Sequence, residues 1–246
     1  MTDDETTLQL LDRFVSAVRS LPSVRAVWAH GSLAGGDYQP GRSDLDLIAV
    51  LDHRYRAAEE SRVAGLHEDL ARAVPLAAKL HCSYAAVDEW GDPAQDHLTW
   101  AHEELMCRPV SPVTRRELHE FGKVLHGPPP AGLVPPVTDR QLAAYVIDDL
   151  RTFWRPALQH QERWLLDAWV DLGLLTLARA SVTLRTGRLI TKAAALDVLA
   201  ELHAPTAVVE DIRRRRYGPA VPASPEWLEQ RARLTRAFLS TALDEV

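Results

Sequence analysis

Residues 44–51, with the sequence DLDLIAVL, constrain the fold of this chain more than any other segment. The segment is short, rich in Leu, Ile and Val, and preceded by the turn-forming residues PGRS, so it predicts a buried β-strand. Because side chains alternate between the faces of a strand, Asp44 and Asp46 emerge on the same face. Two carboxylates this close repel each other in an apolar segment unless a cation lies between them. Oxygen donors alone favour Mg2+ or Mn2+, the usual companions of a nucleoside triphosphate.

A second apolar run, residues 24–29, ends in the tight turn His30-Gly31-Ser32. A glycine lets the backbone approach a phosphate closely, and the Ser32 hydroxyl and the free amides can bind that phosphate. The turn is therefore a candidate phosphate site beside the candidate metal site.

Gly31-Ser32, followed after ten intervening residues by Ser43, Asp44 and Asp46, resembles the signature of the polymerase-beta-type nucleotidyltransferase superfamily. The resemblance implies an α/β domain with a small mixed sheet and flanking helices. It also implies that Asp44 and Asp46 bind catalytic metal and that Gly31, Ser32 and Ser43 bind nucleotide. The structural alternative is an ordinary hairpin with two solvent-facing aspartates.

His81 lies on a third strand, predicted at residues 78–87, where relatives in that superfamily usually carry a third carboxylate. Histidine can act as a general base near neutral pH, but it is a poor ligand for Mg2+. Three interpretations stay open: His81 is the base, a carboxylate elsewhere replaces the missing acid, or catalysis has been lost. The candidate carboxylates are Asp88, Glu89, Glu103 and Glu104.

The length of 246 residues allows one large domain or two modest ones, and the formal net charge is −6. That charge argues against a general nucleic-acid binder, which carries a basic surplus. Cys82 and Cys107 form no CxxC pair, which fits a reducing compartment and argues against structural zinc. With no signal peptide or membrane span in the sequence, we expect a cytoplasmic protein without a membrane partner.

The remaining elements of the first half are weaker predictions. Helices are predicted at residues 8–21, 56–73 and 114–121, and an edge strand at residues 123–126. Residues 96–106 have no clean period, and we interpret them as a helix or helical loop that either borders the site or presents a solvated face. That segment contains Trp100, His102, Glu103 and Glu104.

A proline-rich segment, residues 128–137, cannot be helix interior or central strand and predicts a stiff linker. Domains are therefore predicted at residues 1–127 and 138–246. The second half has no strand signal, and apolar residues recur in it at helical spacing, which predicts an all-α bundle. The first predicted helix of this half begins at Thr138. The other four cover residues 161–186, 191–202, 205–216 and 225–243.

The string LLTLAR at residues 174–179, followed by Thr186-Gly187 and residues 213–218, is similar to the helical domain of aminoglycoside adenylyltransferases that modify streptomycin and spectinomycin. The resemblance implies that Arg179, Lys192 and Tyr217 bind the nucleotide across a cleft between the domains. A solvated helix face is the alternative for Lys192.

Asp167 and Asp171 lie four residues apart on a predicted helix that is nearly all apolar, where an unpaired carboxylate is costly. Either arginines of the bundle pair with them, or they bind a cationic acceptor beside an indole such as Trp164 or Trp169. Both interpretations stay open.

The two resemblances together imply AMP transfer from ATP, with Mg2+ or Mn2+, to a hydroxyl of an aminoglycoside-like molecule, a form of antibiotic resistance. One alternative is the same chemistry on another small molecule or a macromolecule. The other is a nucleotide-binding module that has lost catalysis.

Overall fold

The computed structural model describes residues 3–219 and 221–244. The chain divides into two compact units, Met1–Val137 and Thr138–Val246. The proline-rich segment belongs to the first unit, where Val134 is buried in a core cluster. No helix of the described part is long and apolar enough to cross a membrane.

The first unit is built on a six-stranded sheet in the order β5-β4-β3-β2-β1-β6. Its strands are β1 (Val24–Ala29), β2 (Leu45–Leu51), β3 (Leu80–Ala86), β4 (Asp96–Ala101), β5 (Glu104–Pro109) and β6 (Lys123–His126). Strands β2 and β3 are parallel, and the other adjacent pairs are antiparallel. A parallel pair needs a crossover connection, which includes a helix here. The unit's helices are α1 (Asp3–Val18), α2 (Gly31–Gly35), α3 (Ala57–Ala73) and α4 (Pro112–Phe121).

Alternation along β2 divides the unit into two cores. Leu45, Leu47 and Ala49 belong to the cluster that contains Phe14 of α1 and Val63 of α3. On the other face, the second cluster contains Ile48 and Val50 of β2, Trp28 of β1 and Leu118 of α4. Asp46 shares the face of Ile48, because the two residues are two positions apart.

The helix predicted at residues 96–106 is wrong, because these residues form the β4–β5 hairpin. Ala101 lies opposite Glu104, and the two turn residues between them, His102 and Glu103, have φ angles of 55° and 62°. Left-handed residues at both turn positions match the right-handed twist of hairpin strands. The strands predicted at residues 24–29 and 123–126 are confirmed as β1 and β6.

The second unit is helical throughout its described part, which confirms the predicted fold class. Helix α5 (Asp139–Asp149) begins after Thr138, whose side chain caps it. It continues through a π-helical turn, Leu150–Trp154, into α6 (Arg155–Ala157). The later helices are α7 (Asp167–Thr186), α8 (Lys192–Glu201), α9 (Thr206–Tyr217) and α10 (Pro225–Asp244).

The single helix predicted over residues 161–186 is interrupted at Leu166. A 3-10 turn, Gln161–Leu165, precedes it, and Leu166 itself has an extended backbone with φ −84° and ψ 133°. The carbonyl of Leu165 accepts a hydrogen bond from Arg231 Nη2 at 3.1 Å. A tertiary contact thus satisfies a backbone group that a continuous helix would have used internally.

Candidate active site

Asp44 directly precedes β2 and Asp46 lies at its start, and both carboxylates are partly exposed. The side chains are 44% and 31% exposed, respectively. Lys79, just before β3, places Nζ 3.5 Å from Asp44 Oδ1. Lys79 therefore places a positive charge beside one of the two carboxylates. The sequence patterns did not indicate this role for Lys79.

The predicted phosphate turn lies against Asp46. Gly31 has a φ of +60°, and a Cβ atom built on it would lie 2.6 Å from Asp46 Oδ2. The His30 N–H donates to the Asp46 carbonyl at 2.9 Å. The fold therefore brings Gly31 and Asp46 together and leaves no room there for a side chain.

Ser32 and Ser43 bracket the loop between the turn and β2. Ser32 lies in α2, and its carbonyl accepts from the Asp37 N–H at 3.0 Å. Ser43 is buried, and its Oγ accepts from the Gln39 N–H at 3.0 Å. The Ser43 hydroxyl thus stabilises the loop that leads to Asp44.

His81 lies directly opposite Asp46 in the parallel β2–β3 ladder. Its Nδ1 is 3.8 Å from Asp46 Oδ1, which is longer than a hydrogen bond. Burial lowers the pKa of His81, while the nearby charges of Asp44 and Asp46 oppose that change. The β4–β5 turn brings the His102 ring to 4.7 Å from the His81 ring. His102, noted in the sequence only as bordering the site, is therefore in contact with it.

Of the carboxylates considered as replacements for a third acid, Glu89 contacts Arg54 and His97, and Glu103 lies in the β4–β5 turn. Glu89 lies 3.4 Å from Arg54 Nη1 and 3.6 Å from His97 Nδ1. Glu103 is exposed beside His102 in the hairpin turn. Burial lowers the pKa of His97, and Glu89 opposes that change.

The donors fit a divalent cation that arrives with a nucleotide. Within residues 3–219 and 221–244, no group of three or more His, Cys, Asp or Glu side chains could hold a metal ion by itself. Asp44 and Asp46 offer oxygen donors of the type that Mg2+ uses together with phosphates and water. His81 offers nitrogen, which suits Mn2+ better than Mg2+.

Glu117 on α4 contacts the turn as well, and sequence reasoning missed it. One oxygen, Oε2, lies 3.1 Å from His30 Nδ1 and accepts from the Gly31 N–H at 3.2 Å. An acid in an amphipathic helix carries no local signal of such a contact, because its partners lie 86 or more residues away in sequence.

The three predicted nucleotide-binding residues of the second unit lie on α7, α8 and α9. Arg179 of α7 donates from Nε to the Ile190 carbonyl at 3.0 Å, and Lys192 is the first residue of α8. Tyr217 ends α9, and the Arg216 guanidinium lies 5.5 Å from its ring centroid. Tyr217 is 37% exposed.

Asp167 and Asp171 have arginine partners inside the second unit. Arg231 Nη1 lies 2.6 Å from Asp167 Oδ1, and Arg215 Nη2 lies 2.5 Å from Asp171 Oδ1. Both arginines also contact the buried Asp211. Burial raises the pKa of Asp171 to about 6, and Arg215 opposes that change. Arginine side chains of this unit therefore contact both carboxylates.

Trp164 is fully buried, and its Nε1 donates to the Ala157 carbonyl at 3.1 Å. Trp169 lies 6.0 Å from it and is only partly buried. The Arg163 guanidinium lies 4.8 Å from the Trp169 ring centroid, and Phe153 stacks on the same ring at 6.0 Å. The more accessible indole of this pair is thus Trp169.

Comparisons with known proteins agree with the fold described above. No curated protein sequence matches the chain. Among solved structures, a similar fold is that of spectinomycin adenyltransferase AAD(9) from Enterococcus faecialis, with a TM-score of 0.71, 15% identity, and coverage of 94% of this chain and 98% of that one. The structure of that protein was solved with ATP and spectinomycin. The family model described as nucleotidyltransferase domain matches residues 11–124. Those residues, which contain the Gly31-Ser32 turn and both aspartates, are therefore a nucleotidyltransferase domain.

Proposed function

We propose that the chain transfers AMP from ATP to a hydroxyl group of an aminoglycoside-like small molecule. The contact between Gly31 and Asp46 carries the proposal, since a Cβ on Gly31 would lie 2.6 Å from Asp46 Oδ2. A phosphate bound at that turn would meet a carboxylate pair, and a divalent cation must then offset the negative charges. The nucleotidyltransferase domain at residues 11–124 supports the same chemistry.

In the proposed reaction, the acceptor oxygen forms a bond to the α-phosphorus, and the bond from that phosphorus to the leaving pyrophosphate breaks. Bound Mg2+ or Mn2+ supplies positive charge for the phosphate oxygens. Asp44 and Asp46 would hold that ion. His81, 3.8 Å from Asp46, accepts the proton of the acceptor hydroxyl as general base.

Six residues are proposed to take part in nucleotide binding. Ser32 binds the phosphate chain at the turn, which the positive φ of Gly31 allows, and Ser43 stabilises the loop before Asp44. From the second unit, Arg179, Lys192 and Tyr217 are proposed to bind the nucleotide as well. Replacing Arg179 or Lys192 with Gln should weaken ATP binding, and the loss should shrink in high salt.

The acceptor is proposed to be a cation bound near the start of α7. The Asp167 side chain is 57% exposed although Arg231 contacts it, and Trp169 offers a partly exposed ring. Trp164 is buried, so it would pack against Trp169 and would not contact the acceptor itself. If Asp167→Asn and Asp171→Asn leave aminoglycoside binding by calorimetry unchanged, this acceptor site is ruled out.

The experiment that tests the function is a pyrophosphate-release assay. It crosses four nucleoside triphosphates with Mg2+ or Mn2+ and with a panel of aminoglycosides, and Asp46→Asn serves as the blank. We expect release that depends on ATP, metal and one class of acceptor, and that is lost in the blank. Release that persists in Asp46→Asn would contradict the proposal.

A second candidate function is nucleotide binding without turnover, because His81 occupies the position opposite Asp46. In this function the metal and nucleotide contacts are kept, but His81 does not accept a proton from an acceptor hydroxyl. ATP binding without pyrophosphate release, under every metal and acceptor in the panel, would favour this function. Release with a different small molecule or a macromolecule would keep the chemistry and change the acceptor.

A further inference from the structure

Glu117 is a buried carboxylate attached to the phosphate turn from outside the sequence motif. Its side chain is 8% exposed. The oxygen Oε2 accepts from the Gly31 N–H at 3.2 Å and lies 3.1 Å from His30 Nδ1. Because an ionised carboxylate only accepts hydrogen bonds, Nδ1 carries the proton in this contact.

The same turn is tied to Asp46 from the opposite side. The His30 N–H donates to the Asp46 carbonyl at 2.9 Å, and Gly31 packs against the Asp46 carboxylate. Glu117, the turn and Asp46 therefore form one continuous series of contacts. A displacement of Glu117 would be transmitted to the turn through two hydrogen bonds.

A carboxylate beside an anion-binding turn needs an explanation, because its charge opposes a phosphate. Two features reduce that conflict. Glu117 occupies the Gly31 N–H, so a phosphate is left with Ser32 and the amides that follow it. The protonated Nδ1 of His30 offsets part of the carboxylate charge through a charge-assisted hydrogen bond.

We propose that Glu117 is a positioning residue for the nucleotide: through His30 and Gly31 it holds the turn in the orientation that binds the triphosphate. The identity of the anion rests on the proposed function. Glu117 itself does not touch the nucleotide, and its effect is on the geometry of the turn. A carboxylate that only filled the core would leave phosphate affinity unchanged when replaced by its isosteric amide.

The test is calorimetric titration of the full chain with Mg2+-tripolyphosphate and with an ATP analogue whose α–β linkage is a methylene. Glu117→Gln keeps the shape and removes the charge, and we expect about tenfold weaker binding of both ligands. The matched control is Glu120→Gln, because Glu120 lies on the same helix but pairs at the surface with Arg116 at 3.3 Å. It should bind both ligands like the parent.

A double-mutant cycle separates positioning from a general loss of structure. If Glu117 acts through His30, then Glu117→Gln should cost less in a His30→Asn background than in the parent. The Gly31 amide resonance in 1H–15N spectra should shift in Glu117→Gln and stay unchanged in Glu120→Gln. Where Glu117→Gln unfolds at the assay temperature, Glu117→Asp, which keeps the charge and shortens the reach, replaces it.

Parent-like tripolyphosphate binding by Glu117→Gln would overturn the positioning role, as would fully additive effects in the cycle. These outcomes are distinct from failure of the proposed function. A parent that binds the ATP analogue but releases no pyrophosphate would refute the transfer reaction, while the calorimetric difference at Glu117 would still stand.

Discussion

Asp46 and His81 lie opposite each other on parallel strands, with His81 Nδ1 3.8 Å from Asp46 Oδ1. The imidazole is buried to 8% side-chain exposure, and the carboxylate is 31% exposed. His81, a possible proton acceptor, therefore lies beside Asp46, which is proposed to hold the metal. The superfamily resemblance led us to expect a third carboxylate at the position of His81.

Replacing His81 with Ala should lower kcat for AMP transfer by roughly 10²–10⁴-fold, the usual contribution of a general base. The measurement is pyrophosphate release at saturating ATP and acceptor. Ser83→Ala is the matched control, because Ser83 is buried on the same strand two residues along and its hydroxyl accepts a hydrogen bond from Thr99 Oγ1 at 2.9 Å. Parent-like turnover in both His81→Ala and His81→Glu would show that His81 is not the base.

Gly31→Ala should abolish most nucleotide-dependent activity, because the new methyl group would lie 2.6 Å from Asp46 Oδ2 and displace that carboxylate. Gly36→Ala is the control: its φ is also positive, at 78°, but no atom lies within 4 Å of the added Cβ. Both variants should lose about 1–2 kcal/mol of unfolding free energy from backbone strain. Equal losses of activity in the two variants would contradict the contact with Asp46.

Arg231→Met should destabilise the protein by about 1.5–3 kcal/mol, because the buried Asp211 loses its fully buried partner and keeps only Arg214 and Arg215. Arg231 Nη1 lies 3.0 Å from Asp211 Oδ2, and the two side chains are 0% and 3% exposed. Arg233→Met, which removes a surface pair with Glu229, should change stability by less than about 1 kcal/mol. Urea denaturation followed by circular dichroism measures both, and similar values for the two variants would refute the buried network.

His67 should make the protein less stable in acid. Burial lowers its pKa to about 3, and its Nε2 lies 2.8 Å from the Tyr84 hydroxyl. Between pH 6.5, the ordinary value, and about 3, the unfolded chain therefore binds the proton and the folded chain does not. Stability contributed by neutral His67 is fully present above pH 6.5 and falls as pH decreases, by at most about 1.4 kcal/mol per pH unit.

His67→Phe keeps the ring that stacks on Trp100 at 4.8 Å and removes the titrating group. Denaturation at pH 7 should show a loss of about 1 kcal/mol from the unpaired Tyr84 hydroxyl. At pH 5 the variant should approach or exceed the parent. A difference between the two proteins that is independent of pH would contradict the prediction. His53→Phe, at an exposed position, controls for the added ring.

The local sequence pattern was sufficient to predict much of the first unit. The apolar runs that became β1 and β2 and the alternation that put Asp44 and Asp46 on one face depend on neighbours within a few residues. The Gly31-Ser32 turn and its distance from the aspartates were enough to indicate the nucleotidyltransferase domain at residues 11–124. Helical periodicity likewise indicated the second unit.

The sequence by itself thus determined the class of each unit and named the candidate residues for a site. Only the tertiary structure decided the β4–β5 hairpin, the interruption at Leu166, the pairing of Asp171 with Arg215 and the contact of Glu117 with Gly31. Each depends on partners that folding brings together or on a turn geometry that periodicity does not encode. The physical reason is that a buried polar group is stabilised by its partner in space, and no local pattern specifies that partner.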